Sequence, residues 1–140
     1  MSVRILLLGV FVAAAAAVGG AARQIDLTPT LVHPSLRGRD VFEFYCATCH
    51  GRAGTGDGPV AAALKTRPAD LTKLAAANGG EFPRERVQAF ITHGRSDAPA
   101  HGSTDMPVWG PIFRALEPSD TRVTIRIENV IGYIESLQTK

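Results

Sequence analysis

Apolar and polar positions fall into three regimes along the chain. Residues 5–22 carry no charge, residues 23–34 show no usable period, and from Ser35 onward apolar residues return at helical spacing in blocks separated by Gly and Pro. Val41, Phe42 and Tyr45 share one face of a helix expected over residues 36–47, with Ser35 as its N-cap. Four glycines (Gly51, Gly54, Gly56 and Gly58) then make a loop, followed by Pro59 and a short helical stretch to Leu64. Pro68 and Asp70 break the chain and restart it into residues 71–77. Pro83 fits the first turn of a helix whose apolar face is Val87, Phe90 and Ile91 and whose stop is Gly94. Residues 97–111, with three Pro and two Gly, read as irregular and contain His101, Met106 and Trp109.

The last block has the clearest period. After Pro118, with Ser119 or Asp120 as cap, Val123, Ile127, Val130, Ile134 and Leu137 recur at intervals of 4, 3, 4 and 3. Val123, Ile125 and Ile127 also alternate as a strand would, but the longer pattern favours a helix. Gly132 inside it costs about 1 kcal/mol relative to Ala, which predicts close approach of another backbone there. No stretch reads convincingly as a strand, so the expected fold class is all-α.

The first regime changes the picture of what folds. Arg4, an apolar centre and small residues ending at Ala22 are the layout of a secretory signal peptide over residues 1–22, with the mature chain starting near Arg23. An uncleaved membrane anchor is the competing reading, because the uncharged run is 18 residues long. Residues 23–34 are then an extended arm and residues 35–140 one domain; 140 residues in all leave no room for a separate substrate domain. Lys and Arg number 15 against 13 Asp and Glu with no run of one sign, which argues against a nucleic-acid partner.

Candidate chemistry concentrates at Cys46-Ala47-Thr48-Cys49-His50. Two cysteines three residues apart near a helix end present their sulfurs together, and the adjacent imidazole can reach a flat group held by both. That suits two thioether bonds to haem vinyl groups with His50 as proximal iron ligand. A redox disulfide, a zinc site completed by His93 or His101, and two structural cysteines are the alternatives. The first needs alternating strands and helices that the pattern lacks.

With these residues in view, the chain resembles the class I c-type cytochromes, in particular the small periplasmic monohaem members. The resemblance runs from about Leu36 to Leu137 and rests on Cys46-Ala47-Thr48-Cys49-His50-Gly51, Gly56-Asp57-Gly58-Pro59, Pro68-Ala69-Asp70-Leu71, Met106-Pro107-Val108-Trp109-Gly110 and Tyr133-Ile134-Glu135-Ser136-Leu137. It implies a small cytochrome c fold of three to five helices around one covalently bound haem c, with N- and C-terminal helices crossing through Gly38, Phe42 and Tyr133. It implies Met106 as distal iron ligand, with His101 and His93 as rivals, and the Pro59 carbonyl as acceptor for the second nitrogen of His50. Leu64 and Val60 are expected against the haem face, and Trp109 and Arg67 beside a haem propionate. His33 is expected to be solvent-exposed.

Saturated axial coordination leaves no substrate position, so the resemblance implies electron transfer rather than catalysis. The leading expectation is a periplasmic carrier between periplasmic or membrane redox proteins. The alternatives are a cytochrome subunit of an oxidoreductase whose catalytic chain is separate, and a ligand-sensing haem with a labile Met106.

Overall fold

The computed structural model describes residues 33–94 and 106–139. The leader, most of the arm and His101 lie outside them. Among the described residues there are five α-helices, α1 (Gly38–Tyr45), α2 (Ala47–His50), α3 (Arg84–His93), α4 (Trp109–Leu116) and α5 (Asp120–Ser136), with short 3-10 turns at Ala61–Ala63, Leu71–Lys73 and Ala76–Asn78, and no strand. None of these helices is long and apolar enough to cross a membrane.

The first helix starts two residues later than its pattern suggests. Ser35 Oγ accepts from the Arg37 amide and donates to Asp40 Oδ2 at 2.6 Å, which fixes the chain just before α1 rather than capping it directly. The helix also stops at Tyr45, and after a bend at Cys46 the single turn of α2 carries the rest of the cysteine motif.

Helices α1 and α5 cross and form the centre of the core. Val41, Phe42, Val130 and Ile131 there are at most 1 % exposed, each contributing roughly 1.5–3 kcal/mol of burial. The crossing depends on Gly38, where a Cβ would stand within 2.0 Å of the Asn129 carbonyl oxygen. Asn129 Nδ2 donates to Leu36 O at 2.7 Å, and the Phe42 and Tyr133 rings meet at 5.3 Å between centroids. The close approach expected at Gly132 is absent: the nearest atom a Cβ would meet there is Arg84 Nη2 at 4.0 Å.

Helix α5 buries Val123, Ile127, Val130, Ile131 and Ile134, while Ile125 is 39 % exposed. A strand would have placed Ile125 with Val123 and Ile127, so the longer period decided the element. Ser119 Oγ accepts from the Arg122 amide as its N-cap. Arg84 of α3 pairs with Glu128 and Glu135 of α5, which sets α3 alongside.

Helix α4 was not expected, because its start lies inside the Pro- and Gly-rich segment. Pro111 is the third residue of α4, where its missing N–H would have had no helical partner. Gly110 packs so close to the Thr92 carbonyl oxygen that a Cβ would come within 2.3 Å, bringing α4 against α3. His33 is half-buried rather than exposed: its ring lies 5.1 Å from that of Phe44, and its carbonyl accepts from Arg126 Nη1 at 3.0 Å.

Candidate functional site

His50 is positioned by backbone on three sides. As the last residue of α2 it is 8 % exposed, and its carbonyl accepts from the Gly56 amide at 2.8 Å. The Gly58 and Val60 amides donate to Cys49 O and Thr48 O, so the glycine-rich loop folds back beneath the cysteine motif. Gly58 is obligatory there, since a Cβ would lie 2.4 Å from Thr48 O.

The same loop brings in the partner of the imidazole. At Gly56 the backbone adopts φ +77°, and a Cβ would lie 2.3 Å from Pro68 O, so only glycine lets residues 68–69 approach. The following carbonyl, Ala69 O, stands 3.0 Å from His50 Nδ1, which donates to it. The expected acceptor, Pro59, is replaced by Ala69: the amides on either side of Pro59 are committed to Cys49 and Thr48, leaving it at the exposed tip of the turn. Asp70 Oδ1 accepts from the Thr72 amide and hydroxyl, fixing the turn that presents Ala69. The signal for this partner was present in Pro68-Ala69-Asp70-Leu71, a proline followed by a capping aspartate.

Burial lowers the pKa of His50, opposed by its hydrogen bond to Ala69. The neutral imidazole with Nδ1–H donated leaves Nε2 as a free lone pair suited to a metal. Burial, with Cys49 adding to it, pushes the Cys46 thiol up to about 12. That is opposite to the depressed thiol of a reactive dithiol site, and Cys46 and Cys49 are not bonded to each other. Among the described residues no group of three or more His, Cys, Asp or Glu gathers to hold a metal ion by itself.

Cys46 and His50 open onto an apolar cavity of about 340 Å³ between α1, α3, α4 and α5. Met106, half-buried, and Trp109 line the same cavity. Trp109 stacks on Phe113 at 5.3 Å and 27°, and Tyr45 meets both rings edge-on. Leu71, Leu74, Val87 and Phe90 complete the apolar lining. Cys49 is half-buried one turn beyond Cys46.

Cys49 and Pro59 do not line this cavity, and three further expected residues do not reach it either. Leu64 is half-buried elsewhere, Val60 is 36 % exposed, and Arg67 is exposed; the positions foreseen for the first two are filled by Leu71 and Leu74. Arg86 of α3, not singled out by sequence, is the one charged side chain among the described residues of the lining. Nothing in its sequence setting separates it from an ordinary solvated helix position. His93 is exposed at the end of α3.

The lining fits a haem. It is apolar over most of its area, carries one imidazole with a free lone pair and one thioether, and has a thiol beside the imidazole and a cation to meet a carboxylate.

No curated protein and no solved structure matches the chain. A family model does, over residues 34–114, a span that takes in the cysteine motif, the glycine-rich loop, Met106 and α4 up to Arg114. Helical and without a strand among the described residues, and matched across its site, the chain belongs to the family of cytochrome c oxidase, cbb3-type, subunit III, and is a class I c-type cytochrome.

Proposed function

We propose that this chain is an exported monohaem cytochrome that passes single electrons between respiratory redox proteins, with His50 and Met106 as its axial ligands. Family membership supplies the coarse statement: an electron-transfer protein with covalent haem c. The observation that supports the finer one is that His50 and Met106 line one apolar cavity. When bound, the haem supplies reversible ferric–ferrous chemistry.

The residues around it do the rest. Cys46 and Cys49 tether the group, and Ala69 O holds the His50 ring in one orientation and tautomer. Met106 would supply the second protein ligand to the iron, and its thioether would keep substrates off the metal and favour the ferrous state. Trp109 and Phe113 exclude water. Arg86, exposed and bonded to Asn78 Oδ1 at 3.3 Å, would meet a propionate in place of Arg67. The leader at residues 1–22 directs export, so the protein works in the periplasm, free or anchored.

A second reading, a stable subunit of an oxidase whose catalytic chain is separate, is favoured by the family match itself. A redox titration of the purified holoprotein tests the main reading. It predicts a reversible one-electron transition and no carbon monoxide binding to the ferrous form at neutral pH; ready binding would point to a sensing haem. Co-purification of a stoichiometric large chain would favour the subunit.

A further inference from the structure

Arg126, on α5, is 0 % exposed, yet its Nε and Nη2 have no hydrogen-bond partner. Its Nη1 donates to two carbonyls of the arm, His33 O at 3.0 Å and Ser35 O at 3.2 Å. Its guanidinium lies 5.7 Å from the Phe113 ring centroid and 5.9 Å from that of Tyr45. Glu117, the residue that ends α4, stands 3.6 Å from Nη2 and is also held by Arg122 Nε at 2.9 Å.

A guanidinium in this setting is a poor choice for stability alone, because a well-packed apolar side chain often does as well or better than a buried ion. What the charge does here is join α5 to two other pieces, the arm and α4. It grips the arm through its carbonyls, the middle of α4 through Phe113 and the end of α4 through Glu117. Helix α4 begins at Trp109, three residues after Met106, and Trp109 stacks on the same Phe113 that the guanidinium faces.

We propose that Arg126 is a positioning residue that couples the arm at residues 33–35 to the methionine side of the haem cavity, holding α4 where Met106 can stay on the iron. This rests on the reading of Met106 as distal ligand. Displacing Met106 then loosens the arm, and loosening Arg126 eases displacement of Met106, because the coupling is reciprocal.

Imidazole is the probe, added to the ferric holoprotein to compete with the sulfur. Arg126→Met is expected to raise imidazole affinity about 10-fold. Arg126→Lys keeps the charge but not the planar group that spans both carbonyls and both rings, so it restores less than half of that change on a logarithmic scale. Wild-type affinity in Arg126→Met, with only thermal stability altered, would overturn the proposal. Hydrogen exchange on the wild-type holoprotein gives the test independently of any variant. Imidazole is expected to accelerate exchange in residues 33–37 while leaving the amides of α3 unchanged, and an unaffected arm would overturn the coupling. A ferric wild type without a sulfur-to-iron absorption band would instead sink the reading of Met106, and the proposal with it.

Discussion

The two sides of the cavity are built differently. On the histidine side, α2, the glycine-rich loop and residues 68–72 are locked by main-chain hydrogen bonds and by glycines with no room for a side chain. On the methionine side, α4 has one such glycine, Gly110 against Thr92 O, and otherwise stands largely on packing: Trp109, Phe113 and Tyr45 ring against ring, and the buried Arg126 behind them. Backbone bonding fixes a group in one place, whereas side-chain packing resists displacement only as strongly as its contacts. The arrangement suits one ligand that never leaves and another whose strength can be adjusted.

The largest effect expected is on the tether. Without haem the almost wholly apolar lining of the cavity would face water, at roughly 25 cal/mol per Å² of apolar surface left uncovered, in a domain too small to lose much of its core. A Cys46→Ala, Cys49→Ala double variant should therefore retain no covalent haem in a pyridine haemochrome assay and show little cooperative unfolding by circular dichroism. Both sides of the cavity should be lost together.

The histidine side comes next. Gly56→Ala forces a side chain into a left-handed backbone conformation and against Pro68 O, which should cost the holoprotein about 3 kcal/mol in denaturant unfolding. The methionine side should behave otherwise: Met106→Ala should keep its haem and helix content, bind carbon monoxide when ferrous, and lower the reduction potential by on the order of 0.1 V. If Met106→Ala unfolded as readily as Gly56→Ala, the contrast between the two sides would fail.

Acid should separate the sides more finely. Asp70 and Glu117 are held below the usual carboxylate range, chiefly by the Thr72 hydroxyl and by Arg122 respectively. Their stabilisation is present above the ordinary carboxylate pKa and lost as pH falls through the lower folded value. Asp70→Asn and Glu117→Gln should each flatten the acid limb slightly in unfolding midpoints of the holoprotein measured against pH.

Much of this was legible in the sequence where a single period or motif ruled. Helix α5 followed from five apolar positions, and its crossing with α1 from Gly38, Phe42 and Tyr133. The cysteine motif announced His50 and its cofactor. Other features depend on contacts between distant segments. Ala69 could be chosen over Pro59 only once Gly56 was seen to admit residues 68–69. Helix α4 was hidden because Pro111 and Gly110 signal breaks in sequence but fit a helix start in space. Arg86 and Arg126 carry no sequence signal that separates them from other charges on amphipathic helices, yet one lines the cavity and the other is wholly buried.

The central claim is that one iron is shared by His50 and Met106. The ferric absorption spectrum tests it most directly: a weak long-wavelength sulfur-to-iron band is predicted in the wild type and its loss in Met106→Ala. A high-spin or bis-imidazole spectrum in the wild type, unchanged by that substitution, would contradict it.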